Sequence, residues 1–508
     1  MRVLFIFPDL SSTTTHYTGV VSYGVASLTA ALRREGHTPG LLHLTETPDP
    51  DDFRARVRAF APDLVAFSAN SHYARRLRDW TAWASEASGA PVVVGGIHAT
   101  LAPEAVSALP AVDFTCVGEG EGALTELCAA LERGADPRGI ANLWVRDGDR
   151  VVRNPTRPIH ADLDALPDPD LSLFDVPRLY GARRGTFTYT LSRGCAFGCT
   201  YCCVHSLRRV APRTGRFWRF LSPARAVGQL RALLDRHLPD ADSVSFVDAI
   251  LFPDREWLEA FAPLYRRTIG LPFACNMRAD MIDEGTAALL RAMDCRVVRM
   301  GVESGDERIT RDVLRRSLDV ADLRRAFALL REQGIERWSY NMVGLPSETL
   351  REALSTVRLN AEIVPDLVLA FIFFPYPGTE LHRVCEREGW LTGREFDHYQ
   401  AGSAVRMPQF GETDVRFVQR WFQRLVRLYA AAGRLPGGLG RAAPDALDAL
   451  LASPLFPRAA LLHGREGYRR LRHRVGEALV RCSPALYRAL GGRDPVGRAT
   501  SSIAGPSA

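Results

Sequence analysis

The chain opens with short β-branched apolar runs separated by segments whose apolar residues recur at helical spacing. VLFIF (3–7), GLLHL (40–44), LVAFSA (64–69), PVVVGG (91–96) and FTCVGEG (114–120) read as five strands. Helical patterns cover residues 19–35, start again near Asp51, Ala74 and Pro103, and end near Arg133. Strands alternating with helices across short turns predict a doubly wound parallel sheet over residues 1–133. Such sheets bind ligands beyond the carboxyl ends of their strands. That points to the loops at 8–18, 70–73, 95–100 and 118–122.

Residues 134–185 break the pattern: a hairpin around Asp147-Gly148 precedes a stretch rich in proline and aspartate, which reads as a linker. A second series begins near Thr186, with six runs: TFTYTLS (186–192), SVSFVDA (243–249), PFACNM (272–277), RVVRMGVES (296–304), WSYNMVG (338–344) and LVLAFIFF (367–374). Helical patterns such as 223–237 and 321–333 separate them. Six βα repeats over 186–388 predict a partial or full barrel with its site at the strand carboxyl ends. Residues 389–508 read as a helical, arginine-rich C-terminal region with a flexible end from Gly491. In that region Trp390, Tyr399, Trp421 and Phe422 are either cavity-lining aromatics or amphipathic core.

Composition narrows the chemistry. The 508 residues are 46% hydrophobic and 24% charged, which suits two or three globular domains. Neither the run at 3–7 nor that at 367–374 approaches a secretory or membrane-spanning segment, so a cytoplasmic protein is expected. There thiols stay reduced, and clustered cysteines imply metal or redox chemistry. All 64 basic residues are arginine. The absence of lysine excludes Schiff-base, pyridoxal phosphate and P-loop mechanisms. A net charge of +6 without a long basic run does not point to nucleic acid.

Four of the ten cysteines fall in "LSRGCAFGCTYCCVH" (191–205). Cys195, Cys199 and Cys202 follow the first barrel strand at spacings that also suit one helix face, although Gly194 and Gly198 favour a loop. A zinc site would add His205. An iron-sulfur cluster on three thiolates would leave one iron open, since such clusters ordinarily take four cysteines. Cys203 exceeds either pattern and reads as a small packing residue.

CxxxCxxC with Tyr201 before the last cysteine resembles the signature of radical S-adenosylmethionine (SAM) enzymes. The resemblance implies a [4Fe-4S] cluster on Cys195, Cys199 and Cys202, with SAM chelating the fourth iron. It also implies that Asp248 in "FVDA" binds the SAM amino group. Arg278 in "NMRAD", and Glu303 with Ser304 in "GVESGDE", resemble further SAM-contacting positions. "MVGLPSET" resembles an adenine-holding turn in which Gly344 allows close approach. The bland alternatives are helix caps at Asp248 and Glu348 and a helix-start carboxylate at Glu303.

In the first domain, "VVVGGIHATLAPEAV" with "VDFTCVGEGEGAL" resembles the flavodoxin- or Rossmann-like cobalamin-binding domain fused to one radical SAM class. Gly95, Gly96 and Gly118 would let backbone approach a bulky ligand. His98 and Glu119 match the same string, while Asn70, Ser71 and His72 sit in the loop after the third strand. The cobalt-binding DxHxxG histidine of classical carriers is missing, and His72 is the candidate to approach the corrin. The likeness spans residues 1–385. It implies methylation of an unactivated carbon of a small-molecule substrate, in a natural-product or lipid pathway, through a 5'-deoxyadenosyl radical and methylcobalamin. A reducing partner such as flavodoxin or ferredoxin would supply electrons. Oxidation, cyclisation or rearrangement without methyl transfer is the alternative, and a non-catalytic corrinoid carrier or sensor is the reading from another class.

Overall fold

A computed structural model describes residues 1–10, 17–211, 216–394 and 402–462. Tyr399, the middle of the 8–18 loop and the end from Gly491 lie outside the described residues. The first sheet contains β1 (Arg2–Pro8), β2 (Thr38–Leu44), β3 (Leu64–Ser68), β4 (Val92–Gly95), β5 (Phe114–Cys116), β6 (Leu143–Asp147) and β7 (Arg150–Arg153). Its order is β2-β1-β3-β4-β5-β6-β7, and the first five strands are parallel. Helices cover both faces, so alternate residues of one strand enter different cores: Val3 and Phe5 one, Leu4 and Ile6 the other. This double burial is why the strands read as continuous apolar runs.

The linker expected at 134–185 needs correction. Its hairpin is the antiparallel edge of the first sheet, with Phe114 opposite Val145 and Cys116 opposite Leu143. Leu143 and Val145 are buried against that sheet's core. A free linker could not shield two such side chains from water.

The second sheet contains β8 (Thr186–Tyr189), β11 (Ser243–Phe246), β12 (Phe273–Met277), β13 (Cys295–Glu303), β14 (Glu336–Val343) and β15 (Leu367–Ile372). A short ribbon, β9 (Ser192–Arg193) with antiparallel β10 (Arg219–Phe220), lies between β8 and β11. All six sheet strands are parallel, in the order β15-β14-β13-β12-β11-β8, so this is a partial (β/α)6 barrel. Burial alternates along the strands. Phe187, Val244, Cys275 and Val298 are buried under helices, while Thr188, Ser245, Asn276 and Tyr340 are partly accessible on the opposite, lumen face.

The described part of the C-terminal region is helical. The helix Glu412–Gly433 packs on Leu350–Ile363 and β15. Phe422 is buried in that core, and Trp390 and Trp421 pack against it. These aromatics are core rather than cavity lining. Among the described residues, no helix is long and apolar enough to cross a membrane.

Candidate active site between the two sheets

The loop from Gly194 to the helix Cys203–Val210 carries the cysteine triad. Gly194 has φ +88°, and a Cβ there would lie 2.3 Å from the Phe217 carbonyl oxygen, so the position admits only glycine. Thr200 pins the loop, its Oγ1 donating to the Val313 carbonyl at 2.6 Å. Burial pushes up the Cys195 and Cys199 thiols, and each also feels the charge of the other sulfurs. Arg316 and Arg278 pull Cys199 back down. Neighbouring thiols beside guanidiniums are suited to ligating a metal as thiolates.

Among the described residues, no three His, Cys, Asp or Glu side chains converge as ligands of one metal ion. A tetrahedral zinc ion would draw its sulfurs to about 3.8 Å apart, from a Zn–S bond of about 2.3 Å. Cys195, Cys199, Cys202 and His205 do not close up in that way. A [4Fe-4S] cluster gives each thiolate its own iron, so it does not require the three sulfurs to meet on one ion. Cys203 opens the helix, and its neighbouring thiol pushes the Cys202 thiol up.

A cavity of about 520 Å³ lies between the sheets. One wall is the carboxyl end of the first sheet, with Asn70, Gly95, Gly96 and Gly118; the other is the stretch from Thr188 to Gly194 that leads into the cysteine loop. Gly96 has φ +94°, and its Cβ would stand 2.6 Å from the Ala69 carbonyl oxygen. The wall is therefore backbone, and a large flat ligand can approach it closely.

Residues 14–128 match the B12 binding domain family, and residues 189–359 match the Radical SAM superfamily. The chain is a radical SAM enzyme with a B12-binding domain. Its cofactors are a [4Fe-4S] cluster, SAM and cobalamin. It is 25% identical over 395 residues to an uncharacterized methyltransferase of Pyrococcus horikoshii, covering 75% of this chain and 82% of that one. It is 26% identical over 400 residues to the anaerobic magnesium-protoporphyrin IX monomethyl ester cyclase of Rubrivivax gelatinosus, covering 75% and 69%. Its fold is similar to the radical SAM methyltransferase TsrM of Kitasatospora setae, solved with tryptophan and a SAM analog. That comparison has a TM-score of 0.61 at 18% identity, over 92% of this chain and 99% of that one.

Several residues expected at the cofactors of this radical SAM enzyme are held by protein partners, and Asp248 also lines the cavity. Asp248 is buried, and its Oδ1 accepts from Thr190 Oγ1 at 2.8 Å and from the Leu191 and Ser192 N–H groups at 3.0 and 2.8 Å. Burial pushes its pKa up to about 6 against these hydrogen bonds. It holds the turn into the cysteine loop, because four donors, the Ser192 hydroxyl included, converge on it there. Arg278 is paired with Asp280 at 2.7 Å, donates to the Ser317 carbonyl, and lies 3.8 Å over the Phe197 ring in the cysteine loop. Its guanidinium therefore buttresses the loop.

Glu303 ends β13 at φ +65°, a conformation that costs a non-glycine residue about 1 kcal/mol or more. Its Oε1 accepts from Tyr201 at 3.1 Å and lies 3.5 Å from Arg316. Burial pushes the Glu303 carboxyl up, while Arg316 and Tyr201 oppose that rise. Glu303 thus reaches the cysteine loop from the barrel rim. Ser304 is buried, its Oγ accepting from the Asp306 N–H at 3.2 Å, which shapes the turn after β13. Gly344 has φ +84° and donates to Glu348 Oε2 at 2.7 Å.

In the B12-binding domain, Asn70, Gly95, Gly96, Gly118 and Glu119 line the cavity, whereas Ser71, His72 and His98 are not among its lining residues. His72 Nε2 meets the Tyr376 hydroxyl at 2.9 Å, tying the loop after β3 to the far end of the barrel. His98 is buried beside Ser71 Oγ at 3.2 Å, and burial lowers its pKa to about 4, so the ring is neutral at pH 7.

Glu119 is engaged by arginines, 2.7 Å from Arg219 and 3.3 Å from Arg193. Glu121 takes Arg193 at 2.6 Å and Ser27 at 2.8 Å. For both carboxylates burial pushes the pKa up, but the arginines outweigh it, and Glu121 ends at about 2. Sequence reasoning missed this clamp between the two domains. The available signal was Arg193, immediately before Gly194-Cys195; nothing marked its partners, which lie more than 70 residues away. Arg316 carried no signal at all.

Proposed function

We propose that this enzyme methylates an unactivated carbon of a small molecule. The observation that carries the reading is the shared cavity, whose walls are the glycine-lined B12-binding sheet end on one side and the Thr188–Gly194 approach to the cysteine triad on the other. When bound, the cluster and SAM supply hydrogen-atom abstraction and cobalamin supplies methyl carriage.

Cys195, Cys199 and Cys202 hold the cluster, and Arg278 and Arg316 offset the negative charge of their sulfurs. Asp248 orients the backbone of Leu191 and Ser192, and through it the loop entrance. Glu303, at the strained rim, is positioned by Tyr201 and Arg316 for the SAM side of the site. Gly344 and Leu345 donate their N–H groups to Glu348, which fixes the tight turn at the position that the resemblance assigns to adenine. Gly95, Gly96 and Gly118 admit the corrin, and Asn70 faces it. An external reductant, flavodoxin- or ferredoxin-like, delivers electrons.

The cyclase of Rubrivivax gelatinosus, matched over a similar span, favours a second reading in which the radical step ends in cyclisation or rearrangement. Anaerobic, reduced holoenzyme given methyl-labelled SAM separates the two. Methyl transfer requires S-adenosylhomocysteine to appear with the label moved out of SAM. Formation of 5'-deoxyadenosine with no S-adenosylhomocysteine would refute methylation and favour the second reading.

A further inference from the structure

Among the described residues, the barrel lumen contains a buried cation without an anionic partner. Arg299 sits in the middle of β13 and is 4% exposed. Its guanidinium donates to Ser245 Oγ at 2.7 Å, lies close enough to the Tyr340 hydroxyl to act on it electrostatically, and stands 5.9 Å from the Trp338 ring centroid. Its Nε has no hydrogen-bond partner, and beside it in the register the Asn276 Oδ1 is also unpartnered. Among the described residues no carboxylate lies within ion-pair distance of Arg299. The other buried arginines of this barrel differ: Arg278 meets Asp280, Arg316 meets Glu303 and Arg337 meets Asp366.

A guanidinium removed from water and left with neutral partners is unfavourable unless an anion completes the site. The lumen face around it, with Thr188, Ser245, Asn276 and Tyr340, remains partly accessible. We propose that Arg299 binds an anionic oxygen group of the substrate, a carboxylate or a phosphate, with Ser245 and Tyr340 orienting the guanidinium fork. This rests on the radical SAM reading of the barrel and adds a substrate class to it.

SAM itself bears a carboxylate, but the rim to which the cysteine loop attaches is at Glu303. Four residues of strand, about 13 Å at about 3.3 Å per residue, separate Arg299 from that rim. A carboxylate chelated at the cluster belongs to the rim, so the deep cation is left for the substrate.

The test is binding rather than turnover, so it can fail independently of methyl transfer. Reconstituted holoenzyme saturated with SAM is titrated anaerobically with acetate, inorganic phosphate or neutral acetamide at constant ionic strength, following the unfolding temperature. Acetate or phosphate, but not acetamide, should stabilise the wild type, and Arg299→Gln should weaken that anion at least tenfold. Arg299→Lys keeps the charge but loses the fork and should fall between them, which preserves the comparison if the glutamine variant does not fold. SAM affinity should stay within twofold in both variants. Equal anion stabilisation in wild type and variants, or none in the wild type, overturns the proposal. A tenfold loss of SAM affinity also overturns it, by assigning the guanidinium to the SAM carboxylate.

Discussion

Replacing Arg193 by methionine removes the cation that the B12-binding domain grips immediately before the cysteine loop. Glu121 is the partner to follow, because it is buried and its other side-chain contact is Ser27. Burial alone would raise its carboxyl, yet the pKa falls from an ordinary 4.5 to about 2, with Arg193 the largest favourable cause. That difference corresponds to roughly 3 kcal/mol of native stability at neutral pH. The folded-state value is the lower one, so the contribution is complete above pH 4.5 and is lost as pH falls through about 2. Arg193→Met should therefore cost about 3 kcal/mol at pH 7, in the range for leaving a buried charge unpaired. Equilibrium urea unfolding of wild type, Arg193→Met, Glu121→Gln and the double variant measures the coupling, expected at about 2 kcal/mol because Ser27 and Glu119 share the network. The gap between wild type and Arg193→Met should also narrow between pH 5 and pH 3. A coupling below about 0.5 kcal/mol, or a gap independent of pH, would refute the assignment of this clamp as a stabilising contact between the domains.

Alanine at Cys195, Cys199 or Cys202 should each abolish iron and sulfide incorporation after anaerobic reconstitution, whereas Cys203→Ala should retain both; equal loss at Cys203 would make it a ligand. Gly96→Ala places a Cβ against the Ala69 carbonyl at an unfavourable φ, so cobalamin retention, read from the visible spectrum, should fall at least tenfold and stability by about 1–3 kcal/mol. Glu348 is fully buried, with burial pushing its pKa up to about 8 and Oε1 unpartnered. Because the folded-state value is raised, wild-type stability should decline from pH 4.5 to about 8. Glu348→Gln should remove that decline and be the more stable protein at pH 9; an unchanged thermal pH profile would show that the acid is not neutral in the fold.

Legibility differed by kind of feature. The strand runs at 3–7, 64–69 and 367–374 announced themselves because parallel strands buried on both faces must be apolar at nearly every position. The triad was legible because one loop supplies all three thiols, and Gly194 was legible because its backbone shape admits no side chain. The hairpin was recognised from Asp147-Gly148, but its membership of the first sheet was not, since Val145 does not announce that it pairs with Phe114. Asp248, Arg278 and Glu119 were picked out as important positions. The protein partners that hold each of them were not legible, because those partners lie far away in the chain or on other strands.

The sequence by itself determined two α/β units, a cysteine-bearing loop at a strand end and glycine-lined turns, because these depend on local periodicity, spacing and backbone freedom. Only the tertiary structure decided which charges meet. Arg193 and Glu121 are 72 residues apart, and His72 and Tyr376 are 304 apart. Electrostatic pairing depends on distance in space, which the order of residues along a chain does not encode. The same limit hid Arg299: an arginine in a strand looks alike whether a carboxylate faces it or not.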